Sequence, residues 1–172
     1  MKKSIISLLP LTFGLFIFSL ILDATLTCAV AQPAIETKKA VVYLSDMKSL
    51  SPEAASYFMD KNKEGLHLMI NGEEFKKGIS INTNSALIFE IEGKYSTLKV
   101  VVGHDDAYLE YKGKLTFIIQ GDGKKIYESK PLSAKQKEEI SVDVTGVRKL
   151  HLIVNDDGLH SPFAVWANAS LY

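Results

Sequence analysis

The run Ile140-Ser141-Val142-Asp143-Val144-Thr145-Gly146-Val147-Arg148-Lys149-Leu150-His151-Leu152-Ile153-Val154 decides the fold. Ile140, Val142 and Val144 alternate with Ser141 and Asp143. After Thr145-Gly146, Leu150, Leu152 and Val154 alternate with Lys149, His151 and Ile153. A period of two puts the apolar side chains on one face of a strand and the others on the opposite face. The stretch therefore predicts two half-buried strands joined by a turn.

The same period recurs outward from it. Leu66, Leu68 and Ile70 form one set, Leu87, Phe89 and Ile91 another, and Leu98, Val100 and Val102 a third. Ala40–Leu44, Leu115–Gln120, Lys124–Glu128 and Ala164–Leu171 are further strand candidates. Asn71-Gly72, Glu92-Gly93-Lys94, Gly121-Asp122-Gly123 and the cluster at Asn155–Gly158 supply residues that tolerate positive φ, so they read as turns. Gly121-Asp122-Gly123 is the clearest hairpin signal. Only Pro52–Lys61 reads as helix, with Ser51 as cap, Pro52 in the first turn and Glu53 complementing the dipole. The fold class is all-β: an antiparallel β-sandwich of jelly-roll form with one short helix.

The chain has 172 residues, 20 Lys+Arg against 20 Asp+Glu, and one cysteine. That length suits one ordinary domain. Balanced charge speaks against a nucleic-acid partner, which selects a basic stripe. A lone cysteine makes no internal disulfide, and no Cys/His set has zinc spacing. Lys2 and Lys3, an apolar run to Leu22 and Ala29-Val30-Ala31 have the form of a signal peptide. The expected organisation is a signal peptide at 1–31 cleaved after Ala31, a linker at 32–39 and a domain at 40–172. The expected location is secreted or periplasmic, with no membrane attachment after cleavage. An uncleaved anchor is the alternative.

Several strings in order carry a family resemblance: Tyr43-Leu44-Ser45-Asp46-Met47, Lys77-Gly78-Ile79, Asn84-Ser85, Gly93-Lys94-Tyr95, Val102-Gly103-His104-Asp105-Asp106, Asp122-Gly123-Lys124, Val142-Asp143-Val144-Thr145-Gly146 and Ala164-Val165-Trp166-Ala167-Asn168-Ala169. Together they resemble the NPCBM family, carbohydrate-binding modules often attached to secreted glycoside hydrolases, over Val41–Leu171. The resemblance implies a galactose-binding-like sandwich whose loops at one end bind sugars, in some members with a structural calcium ion. It implies a glycan ligand and a glycoside hydrolase as a separate partner. The chain departs from the family pattern in having Asn82 for a histidine, Pro162-Phe163 for an Asp-His pair and Val165 for an acid.

A sugar offers hydroxyls that donate and accept, and apolar C–H faces. Its site needs carboxylates or amides beside an aromatic ring. The loop Gly103–Tyr111 has that mixture in His104, Asp105, Asp106 and Tyr108. Turn capping by the two acids is the competing reading. Asn82 and Asn84 are further candidates, with backbone-tying roles as the alternative. Asp46, Asp156 and Asp157 are the oxygen donors available to a calcium ion; an ordinary cap and a solvated turn explain them equally. Trp166 reads as core rather than platform, and His104 as solvated rather than an oriented base. No G-x-S-x-G, H-E-x-x-H or phosphate-loop motif is present, so the expected role is binding rather than catalysis. An interaction scaffold that has lost its sugar site is the alternative on the same fold.

Overall fold

The structure is a computed structural model that describes residues 41–51, 56–158 and 162–172. The described residues all belong to one compact unit. The expected signal peptide and linker lie outside the described residues.

Among the described residues there are twelve strands: β1 (Val42–Tyr43), β2 (Tyr57–Met59), β3 (Leu68–Ile70), β4 (Glu73–Phe75), β5 (Gly78–Asn82), β6 (Ser85–Glu90), β7 (Thr97–His104), β8 (Leu115–Gly121), β9 (Lys124–Glu128), β10 (Lys137–Asp143), β11 (Lys149–Asp156) and β12 (Phe163–Leu171). All pairings are antiparallel. One sheet has the order β10-β7-β12-β5-β2, with β1 added beside β12; the other has β6-β11-β8-β9. From β5 to β12 the chain passes from sheet to sheet at each connection except the β8–β9 hairpin, which stays within one sheet, giving the antiparallel sandwich that the period-two pattern predicts.

Registry converts that alternation into a core. Leu152 of β11 lies opposite Leu87 of β6 on one side and Ile119 of β8 on the other. Leu98, Val100 and Val102 of β7 face them from the first sheet, with Ile79 and Ile81 of β5. Trp166 is fully buried and meets Phe117 edge-on, ring centroids 5.0 Å apart, which joins the two layers. The β8–β9 turn is Asp122-Gly123 with both residues at positive φ, 49° and 80°, the geometry that matches strand twist.

A smaller apolar cluster lies on the outer face of the first sheet. There the β3–β4 hairpin sets Leu68, Ile70 and Phe75 against Val101, Val165 and Ala167. Gly103 lets it approach: a Cβ there would sit on the Ile70 side chain and 2.9 Å from the Gln136 carbonyl oxygen.

Two expectations change. Tyr57–Met59 is a strand, not part of a helix, because it pairs with Ile79–Ile81 of β5; positions 52–55 of the expected helix lie outside the described residues. Leu66 and His67 precede β3 rather than belonging to it, and Leu66 is 64% exposed.

Candidate functional site

Strand direction collects most of the candidate residues at one end of the sandwich. β5 and β7 end there at Asn82 and His104, β11 ends there at Asp156, and β12 starts there at Phe163, opposite Asn82. Asp46 is at the other end. Its carboxylate binds Lys77, which precedes β5, whereas Asp156 accepts from Thr83, which follows it. At about 3.3 Å per residue the intervening strand separates them by roughly 20 Å.

Asp105 follows β7 and caps the 3₁₀ turn Asp106–Tyr108. Its Oδ1 accepts from the Ala107 N–H at 3.1 Å, and Ser80 Oγ donates to its Oδ2 at 3.4 Å. It is 1% exposed, and burial pushes its carboxyl above the ordinary range. Asp106 reaches the β3–β4 turn, where its two oxygens accept from Asn71 N–H at 2.8 Å and Gly72 N–H at 2.6 Å. Both acids therefore cap turns while also lining a cleft.

His104 is buried, not solvated as expected. Its Nε2 is 2.9 Å from the Leu132 carbonyl oxygen, an acceptor, so Nε2 carries the proton. Burial holds the imidazole below its usual pKa.

Tyr108 stacks on Phe163 with centroids 5.3 Å apart and planes at 28°; Phe58 packs on Phe163 at 6.1 Å. Lys63 Nζ lies 5.6 Å from the Phe163 centroid. The Tyr108 hydroxyl donates to Glu64; burial first, then that carboxylate, pushes the phenol pKa upward. Phe163, Phe58 and Glu64 carry no local sequence signal; they enter the site only through strand pairing and loop packing.

Asn82 Oδ1 accepts from Ser56 N–H at 3.0 Å, and Asn84, at φ 57°, accepts from Asp156 N–H at 3.2 Å. These amides tie loop backbone together. Asp156 also accepts from Gly158 N–H at 2.8 Å, while Asp157 N–H donates to the Lys114 carbonyl at 3.1 Å. Asp46, Asp156 and Asp157 therefore do not meet as a calcium cage. Among the described residues no three carboxylate, imidazole or thiol groups converge as metal ligands.

The cleft beside Asp105 and Asp106 has a volume of about 350 Å³. Asn62, Glu74 and His67 supply further polar atoms; Leu66, Met69 and Ala107 supply apolar wall. Asn62 is itself fixed, since its Oδ1 accepts from Leu66 N–H at 2.9 Å. Asp105 and Asn62 are buried, so the surface the cleft offers is mostly apolar, with Asp106, His67 and Glu74 as its accessible polar groups; an apolar wall of this kind suits the C–H face of a hexose. Asn62, Leu66, Met69 and Glu74 carry no local sequence signal either; the Asn71-Gly72 turn flanked by Leu68, Ile70 and Phe75 was the available clue to the hairpin that brings them there.

The model of the NPCBM/NEW2 domain matches residues 40–172. Similar solved structures include a CBM51 from Clostridium perfringens GH95 in complex with methyl-galactose: 24% identity, TM-score 0.68, covering 77% of this chain and all of that one. The CBM51-2 and INT domains of Clostridium perfringens ZmpB in complex with GlcNAc give 23% identity and TM-score 0.69, covering 77% of this chain. This chain spans 31% of that structure's length. The ZmpB M60 catalytic domain with both CBM51 domains gives 28% identity and TM-score 0.65, covering 76% of this chain and 15% of that one. No curated protein sequence matches the chain. The likenesses establish a carbohydrate-binding-module fold.

Proposed function

The chain belongs to the NPCBM/NEW2 domain family, and from that membership we propose that it is a secreted or periplasmic, non-catalytic carbohydrate-binding module. Its ligand is a galactose-type or related neutral glycan, taken at the rim where Asp105, Asp106 and Tyr108 lie. A separate glycoside hydrolase is the partner it brings to that glycan. The observation that carries the reading is the rim cleft, a largely apolar hollow with the half-buried Asp106 carboxylate at its edge and the buried Asp105 and Asn62 side chains holding its wall in place. The complexes of the structural neighbours with methyl-galactose and GlcNAc support the choice of ligand class. Shallow sites of this kind bind modestly, so polar placement sets specificity.

The test is a glycan array followed by affinity electrophoresis, with wild type and Asp105→Asn. Binding to a defined galactoside or N-acetylglucosaminide, weakened in the variant at unchanged fold, supports the module. A flat response across the panel supports an interaction scaffold instead. One observation favours that second reading: both rim acids already satisfy backbone N–H groups.

A further inference from the structure

A second cavity lies away from the rim, on the outer face of the sheet containing β10, β7 and β12. The β3–β4 hairpin covers part of that face. Beside it remains an open groove of about 470 Å³, larger than the rim cleft. Strand register defines its floor. Ser141, Lys99 and Ser170 form one rung across three strands; Glu139, Val101 and Ala167 form the next.

Between those rungs β12 bulges, advancing three residues from Ala167 to Ser170 while β7 advances two. Asn168 sits on the bulge, exposed, at φ 49°. A non-glycine residue adopts that left-handed conformation at a cost, and bulges commonly re-aim a side chain beside a site. The Asn168 N–H is anchored by the Lys77 carbonyl at 2.8 Å. Tyr172 also lines the groove. Its N–H donates to the Thr97 carbonyl at 2.9 Å, and its carbonyl accepts from Ser96 N–H at 2.6 Å. The Lys99 ammonium lies 5.1 Å from the Tyr172 ring centroid.

We propose that this groove is a second saccharide-binding site that takes a neutral oligosaccharide laid along the sheet. Tyr172 offers a ring to a sugar C–H face. Ser141, Asn168, Glu139 and Lys99 offer both donors and acceptors to its hydroxyls. Lys99 and Glu139 bring one charge of each sign to the lining, and Lys137, 3.9 Å from Glu139, is also paired with Glu73, so no one-signed cluster selects an anionic or cationic ligand. Exposed charged side chains on the floor are wrong for the apolar centre of a protein interface. The site is independent of the rim, so the module would hold one glycan chain at two places or two chains at once.

Amide spectra of the full chain, titrated with β-linked galactose and N-acetylglucosamine di- to hexasaccharides, test the proposal. Shifts are expected at Lys99, Glu139, Ser141 and Asn168, with oligosaccharides binding roughly tenfold tighter than monosaccharides because they span more of the surface. Ser141→Trp fills the groove and should abolish these shifts while leaving any at Asp105 and Ala107. Glu139→Gln, an exposed conservative change, should weaken them with the fold intact. Shifts confined to the rim, no shifts, preference for anionic oligosaccharides, or unchanged groove affinity in both variants would overturn the second site. Groove shifts without rim shifts would instead sink the rim reading and leave this one standing.

Discussion

Replacing Asp105 separates its structural duty from its charge. Asp105→Ala removes the side-chain oxygen that accepts from Ala107 N–H and caps the 3₁₀ turn. Loss of such a cap costs about 1 kcal/mol, which lowers the melting temperature by roughly 3–5 °C in a domain of this size. Asp105→Asn keeps an oxygen in the capping position, removes the charge, and replaces the Oδ2 acceptor with an NH2 donor to which the Ser80 hydroxyl can turn a lone pair. That charge is disfavoured by burial, which is why the folded carboxyl titrates above 3.8. Between 3.8 and the folded value the native state therefore binds more protons than the unfolded chain. Ionisation of Asp105 thus erodes stability as pH rises through that window. At neutral pH the order of melting temperatures should be Asn at or above wild type, and wild type above Ala. The Asn advantage should shrink as pH falls through that window and be gone below 3.8, where wild type is also neutral. Thermal melts followed by circular dichroism across that range read it directly. An Asn variant less stable than Ala at neutral pH, or an Asn advantage that grows toward acid, would refute the account of this carboxylate.

His104 acts with the opposite sign. Its folded pKa lies below 6.5, so the unfolded chain binds the extra proton, and stability should fall as pH drops through 6.5. His104→Gln should flatten that segment of the melting-temperature profile; an unchanged slope would assign it elsewhere. Gly103→Ala places a methyl group against Ile70 and the Gln136 carbonyl; overpacking of this kind costs about 1–3 kcal/mol. Hydrogen exchange in that variant should speed up first at Leu68–Phe75, and uniform loss of protection would contradict a hairpin docked on a separate outer cluster. A chelator should leave the wild-type melting temperature where it is, because Asp46 is engaged by Lys77 and Asp156 by Thr83 and Gly158; a fall would reveal a stabilising metal.

The inner core was readable because period-two alternation and turn residues are local properties. Leu150, Leu152 and Val154 point inward as their spacing requires, and Asp122-Gly123 forms the two-residue turn its residues favour. Reading failed where burial comes from a third layer. Gly78–Asn82 does alternate, Ile79 and Ile81 with Ser80 and Asn82, but its polar face is covered too: Ser80 is buried against Asp105, which its residue type does not announce. The three-residue strand β4, Glu73–Phe75, buries only Phe75 and is too short to display a period. Tyr57–Met59 imitates a helix turn in sequence, and only its partner β5 makes it a strand. At the rim, sequence brought forward the acids, but their geometry depends on partners at Asn62, Asn71, Gly72 and Ser80, far away in the chain.

Those partners change what the acids mean for recognition. A carboxylate free to swing must lose rotamer freedom when it grips a hydroxyl, at about 0.5–1.5 kcal/mol per side chain. Asp105 and Asp106 have already lost that freedom, through Ala107 N–H in one case and the β3–β4 turn in the other. Each Asp106 oxygen has more than one lone pair, so accepting from the backbone does not exhaust it, whereas Asp105 is buried and contributes by holding the turn. Phe163 extends the same logic to the aromatic side. Packed between Tyr108 and Phe58, it fixes the Tyr108 ring on one side, where a mobile ring would have to be ordered on binding. A rim built this way favours a few matching ligands over many. Under the proposed glycan-binding function, its specificity should depend on the hairpin that Asp106 holds as much as on any residue lining the cleft.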